Sequence, residues 1–111
     1  MTFSNIDRKF WTSGRLETFT NWPFAASLPC NSKAMAAAGF YAVGGSDEPD
    51  LVMCFMCGKQ LDGWESHDDP WEEHKSHQSD CPYIKLGKRD ELEFTIEETL
   101  ELVKSYYLKI S

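Results

Sequence analysis

The sequence predicts one small α+β domain: a three-stranded antiparallel sheet with short helices, followed by a terminal helix. Three observations carry that expectation. Among 111 residues, one stretch gathers Cys54, Cys57, His74 and Cys81 at spacings that let them meet. Three short apolar runs between residues 40 and 64 are punctuated by glycine turns. Two helix starts are spelled out by their capping residues, at Asp69 and at Thr95.

The metal reading follows from the first. A Cys-x-x-Cys turn aims two thiolates at one point, and Gly58 just after it permits a positive φ. His74 sits on the helix predicted to begin at Pro70, and Cys81, seven residues on, falls two turns along the same face if that helix continues. Three thiolates and one imidazole then close a tetrahedral zinc site with no position left for water. His67 and His77 compete with His74. His67 falls in the loop before the helix, and His77 is turned about 60° from Cys81 on a helical wheel, so His74 is the ligand. Without a signal peptide or long apolar segment, four cysteines point to a reducing compartment and a metal instead of disulfides.

In order, residues 1–14 read as a polar arm with Phe3, Phe10 and Trp11. Arg15 to Asn21 suits a short helix bearing Leu16 and Phe19, ended by Pro23. Arg15 is open to two readings, a surface charge or a buried group bonding loop carbonyls. Cys30 has no partner left and reads as a half-buried thiol. Ser32 caps a helix over Lys33 to Ala38, with Gly39 at C′. Strands follow at Phe40–Val43, Leu51–Phe55 and Gln60–Trp64, with Gly63 able to admit a close backbone approach. Asp69, Pro70 and Glu72 supply N-cap, N1 and N3 of a helix to about Ser79. Pro82 to Asp90 is a basic-leaning connector. Thr95 and Glu98 form a second capping box, opening a helix over Ile96 to Lys109. Its stripe of Ile96, Leu100, Val103 and Tyr107, with Leu102 beside it, either packs back on the domain or awaits a partner. The organisation expected is an arm (1–14), a zinc domain (15–90) and a terminal helix (91–111) of at most about four turns.

Charge and motifs narrow the function. Eighteen acids against eleven bases give a net charge of −7, which disfavours nucleic acid and favours cationic peptides. No membrane segment is expected. A closed metal site cannot activate water, and no phosphate loop or nucleophile elbow is present, so the chain reads as non-enzymatic. From Gln60 to Glu73 there are six acids, no Lys or Arg, and two tryptophans, Trp64 and Trp71. Aromatic walls beside carboxylates suit a small apolar group next to a cation, such as a free peptide N-terminus. Capping accounts for Asp69 and Glu72; Trp64, Asp68 and Glu73 are the site candidates.

The segments RLETFTNWPF, AAAGF, EPDLVMCFMCGKQLDGWE, DDPWEEH and the final Cys81 resemble the baculovirus inhibitor-of-apoptosis repeat (BIR) family over about residues 15 to 83. Within it, they are most similar to its single-repeat, chromosomal-passenger branch. The resemblance implies the small zinc-binding BIR fold and a pocket of Leu61, Asp62, Trp64, Asp68, Glu73 and His77 that holds the N-terminal alanine of a histone tail. It implies that Lys59 and His77 read a phosphate on the third residue of that tail, and that Glu48 contacts its basic part. Asp62 stands where that branch carries the longer glutamate.

The partners so implied are the threonine-phosphorylated histone tail, borealin-like and inner-centromere-protein-like subunits, and through them a mitotic kinase complex. Homodimerisation through Leu92, Phe94 and Ile96, with Trp11 as a contact, is a further family-based expectation. The location implied is the nucleus and chromosomes, at the centromere and the spindle midzone in mitosis, and the cytoplasm. The alternative is an apoptosis regulator whose same pocket takes Ala-started antagonist peptides released from mitochondria.

Overall fold

The computed structural model describes residues 7–110, so Phe3 lies outside the described residues. Its elements run in the order α1 (Thr12–Leu16), α2 (Ser32–Ala37), β1 (Phe40–Ala42), β2 (Val52–Cys54), β3 (Gln60–Leu61), α3 (Pro70–His77), α4 (Pro82–Leu86) and α5 (Ile96–Ile110), with 3-10 turns at Arg8–Phe10 and Glu91–Glu93. The sheet is antiparallel in the order β1-β2-β3, pairing Phe40 with Cys54 and Val52 with Leu61. This is the expected α+β class with a three-stranded sheet.

The first helix begins earlier than its apolar spacing suggests. It covers Thr12–Leu16 instead of residues 15–21, so the segment read as an arm forms an element. Arg15 is the cause, and its two readings resolve to the buried one. It is fully buried and donates to the carbonyls of Ala36 (2.9 Å), Lys9 (3.0 Å) and Phe10 (2.8 Å). Its guanidinium stacks 4.3 Å from the centroid of the Phe55 ring. One side chain thus bonds the Lys9 and Phe10 carbonyls ahead of α1 and adds a second donor to the Ala36 carbonyl, which also accepts from the Gly39 N–H in the last turn of α2. Beyond Leu16, the Thr18 hydroxyl donates to the Arg15 carbonyl and accepts from the Ala42 N–H, which ends the helix and covers the edge of β1.

The cap of α2 is Asn31, one residue before the expected Ser32. Its Oδ1 accepts from the Ala34 N–H at 2.8 Å while its Nδ2 donates to the carbonyls of Ala26 and Leu28, more bonds than a serine hydroxyl can make there. Gly39 closes the helix as expected, with φ +97°, and a Cβ there would press on the Tyr83 ring at 3.1 Å.

β3 ends at Leu61 instead of Trp64. Gly63 turns the chain with φ +74°, and one carboxylate oxygen of Asp50 accepts from the N–H groups of Gly63 (2.8 Å) and Trp64 (3.2 Å). Asp62 and Trp64 therefore do not share a strand face: Asp62 is exposed and Trp64 is buried. α3 stops at His77, short of Ser79, and Cys81 lies beyond it as the residue before α4. Pro82 excludes the preceding residue from helical ψ, and Cys81 has ψ 126°. Asp69 caps α3 by accepting from the Trp71 N–H, but Glu72 bonds Arg89 instead of completing a box.

The stretch read as a connector contains α4. Pro82 sits at its N1 position, Gly87 follows in the left-handed region, and Tyr83 and Ile84 are buried. The Thr95 box forms in full: Thr95 N–H donates to the Glu98 carboxylate at 2.9 Å, and Glu98 N–H to the Thr95 hydroxyl at 3.1 Å. α5 packs back on the domain, burying Leu102, Val103 and Tyr106 in the core, with the Tyr106 ring against Phe10 and Phe55, and leaving Ile96 81% exposed.

Candidate metal centre and acidic pocket

The β2–β3 hairpin and α3 meet at the four residues expected to hold a metal. One ligand atom from each of Cys54, Cys57, His74 and Cys81 lies within 4.8 Å of all the others. Cys54 Sγ and Cys81 Sγ are 3.8 Å apart, and Cys57 Sγ lies 3.5 Å from His74 Nε2. A tetrahedral ion with bonds of about 2.3 Å to sulfur and about 2.0 Å to nitrogen requires edges of about 3.8 Å and 3.5 Å. The donor set therefore suits a tetrahedral metal.

The backbone prepares the site. The N–H groups of Met56 and Cys57 point at Cys54 Sγ at 3.3 and 3.4 Å. His74 Nδ1 faces the Ala38 carbonyl at 2.6 Å; a carbonyl only accepts, so Nδ1 carries the proton and Nε2 is the free lone pair. Burial pushes the Cys54 thiol up, reinforced by Cys57 and Cys81, whereas hydrogen bonds from Cys54 and Cys81 hold Cys57 low. Burial opposes charge on His74, yet bonds to Cys57 and Cys81 carry it up to about 9. Sulfurs this close can all be thiolates only with a cation among them. Cys81 reaches the site from a turn, not from the helix face its spacing suggested.

A second constellation lies where β3 passes α3. Leu61, Asp62, Gly63, Trp64, Asp68, Glu73 and His77 line one pocket of about 40 Å³. The loop after β3 supplies Asp62 and Trp64, and α3 supplies Glu73 and His77, four residues apart and so adjacent on its surface. Asp68 keeps its place by accepting from the Glu65 N–H at 2.9 Å. Trp64 packs edge-on against Phe40, and its indole N–H is the one buried side-chain polar atom without a partner among the described residues. Asp69 and Glu72 point elsewhere, pairing with Arg89 at 3.7 and 3.5 Å. Lys59, half-exposed ahead of β3, and exposed Glu48 are not among the lining residues.

Sequence reasoning missed Gly63 in the lining and Asp50, whose carboxylate shapes the loop beneath it. Asp50 lies thirteen residues before Gly63, and no local pattern announces so distant a bond. Of the residues expected at a dimer contact, Leu92 and Ile96 are 89% and 81% exposed, whereas Phe94 and Trp11 are half-buried against the core.

The family model for the BIR, or Inhibitor of Apoptosis, domain matches residues 15–85. The chain belongs to this family. Its relatives include survivins. Baculoviral IAP repeat-containing protein 5.2-A of Xenopus laevis is 44% identical over 95 residues, covering 86% of this chain and 60% of that protein. Baculoviral IAP repeat-containing protein 5 of Cavia porcellus is 47% identical over 90 residues, covering 81% and 63%. The chain thus spans about three-fifths of the length of the curated relatives it matches. Among solved structures, DIAP1 BIR1 bound to a Grim peptide has a TM-score of 0.56 at 33% identity, covering 70% of this chain and 73% of that one. In this BIR domain the metal-site cysteines and His74, Arg15 and the acidic pocket all fall within the matched span.

Proposed function

We propose that this BIR domain is a non-catalytic reader of peptide N-termini that begin with alanine, held in shape by one structural zinc ion. The observation that carries this is the pocket itself: three carboxylates, Asp62, Asp68 and Glu73, gathered with Trp64 around a cavity of about 40 Å³. Such a cavity suits a methyl group beside an ammonium and excludes a long first side chain. Carboxylates that accept from that ammonium in a partly desolvated site form charge-assisted bonds worth more than neutral ones. Zinc would be held by Cys54, Cys57, His74 and Cys81. It would supply cross-linking of the hairpin to α3, and with it the placement of both walls of the pocket.

The preferred ligand on this reading is the threonine-phosphorylated histone tail. Lys59 and His77 contact the phosphate, since an imidazolium donates from both nitrogens, and Glu48 contacts the basic part of the tail. The role proposed is to bring a passenger complex of borealin-like and inner-centromere-protein-like subunits, with its mitotic kinase, to centromeres. The likeness to survivins supports this. A second reading, regulation of apoptosis through Ala-started antagonist peptides, is favoured by the likeness to a BIR domain bound to a Grim peptide.

Calorimetric titration at one salt concentration separates the two. The probes are the histone tail with Thr at position three, the same tail phosphorylated there, and an Ala-started antagonist peptide. Tightest binding to the phosphorylated tail, lost on Lys59→Ala, is expected. Preference for the antagonist with indifference to phosphate assigns the protein to the apoptotic side.

A further inference from the structure

Between α4 and α5 runs a groove of about 410 Å³, apart from the acidic pocket. Buried Leu102 and half-buried Leu86 line it, so its floor is apolar. Its α5 rim carries Glu97, Glu98 and Glu101, against the single Lys85 on α4. Glu98 is taken by Lys88 at 2.7 Å and by the Thr95 N–H. Glu97 and Glu101 are exposed and in no ion pair among the described residues. They stand four residues apart, a like-charge pair that costs the helix a few tenths of a kcal/mol until a cation lies between them.

The geometry points to this groove as the docking site for a basic amphipathic segment of a partner protein. Apolar side chains enter over Leu86 and Leu102, and Lys or Arg neutralises Glu97 and Glu101. Charge complementarity names the occupant: an acidic or neutral segment leaves the rim's repulsion in place, and the whole chain carries −7. The groove is distinct from the exposed flank of α5. Glu101 and Ser105, on the groove side, lie about 100° or more round the helix from Leu100 and Ile96.

The test uses the full chain and an N-acetylated peptide of about four helical turns, with leucines on one face and lysines on the others. A twin carries glutamate for every lysine. Acetylation keeps both out of a pocket that reads free N-termini. We expect the lysine peptide to bind with salt-dependent affinity, to shift amide resonances of Leu86, Leu102 and Ser105, and to weaken about five- to tenfold in Glu97→Gln/Glu101→Gln. That variant should bind the Ala-started peptide as the parent does, so failure here and failure of the pocket reading are told apart. Four results overturn the proposal: no binding of the lysine peptide, equal binding of the glutamate twin, affinity unchanged in the variant, or shifts confined to the acidic pocket or to Ile96 and Leu100.

Discussion

Cys30 is the cysteine the metal centre leaves out, and its surroundings decide its chemistry. It is fully buried, its N–H donates to the Ser66 carbonyl, and its own carbonyl accepts from the Trp22 indole. The expected half-buried thiol is thus a core side chain. Burial, reinforced by Asp68, Asp50 and Glu73, pushes it up to about 12 from an ordinary value of 9.0. Between those values the unfolded chain releases a proton that the folded one keeps, so stability is full below pH 9 and falls as pH rises toward 12. Denaturant melts at pH 8 and pH 10.5 should show this fall in the parent and a shallower one in Cys30→Ala. Equal slopes in the two proteins would remove Cys30 from the alkaline response. The neighbouring acids tie this residue to the pocket: the cysteine lies beneath the groups proposed to hold the ligand, and its neutrality keeps another negative charge out of that cluster.

At the level of elements, legibility in the sequence tracked the range of the forces. The Thr95 capping box, Gly39 at C′ and the start of α3 at Pro70 are local and were readable from adjacent residues. Thr95→Ala should destabilise the protein by about 1 kcal/mol, read as a lower midpoint in a urea melt with faster amide exchange in the first turn of α5. A change confined to the midpoint would mean that Thr95 acts elsewhere. Elements placed by distant partners were misread. α1 moved toward the N-terminus because Arg15 reaches Ala36, 21 residues on. β3 was cut short because Asp50 draws in the Gly63 loop. α4 was legible in principle, with Pro82 and Gly87 as its signals, but five residues give too little periodicity to read. The pocket was partly legible. Acids and tryptophans without bases marked the stretch, and capping set Asp69 apart, whereas Glu72 lies outside the pocket because it pairs with Arg89. The loop beneath Trp64 was not legible.

For the whole molecule, the metal centre joins the sheet to α3 and α4 at the middle of a small core. Phe10, Phe55, Tyr83 and Tyr106 continue that core by edge-on contacts out to α5. A domain this size has little apolar area to spare, so a metal held by these four residues would supply a large share of its folding energy, on the order of 10 kcal/mol in zinc domains. Chelation should abolish the cooperative melt, and zinc should restore it. A chain that melts cooperatively after complete removal of metal would contradict a structural role for the four ligands. Both walls of the pocket would be set by that cross-link, so on the proposed reading peptide affinity should depend on zinc even though no peptide atom need touch it.

On the proposed reading, Asp62, Asp68 and Glu73 accept hydrogen bonds from a charged peptide N-terminus. The most direct measurement is a calorimetric titration of the zinc-loaded chain with one Ala-started histone-tail peptide, its N-terminus free or acetylated, repeated with Asp68→Asn. Loss of one charge-assisted contact should weaken binding about ten- to a hundredfold, by acetylation in the parent and by substitution with the free peptide. Acetylation should then matter less in Asp68→Asn. A parent protein that binds the acetylated peptide as tightly as the free one would mean that these carboxylates do not hold the ammonium.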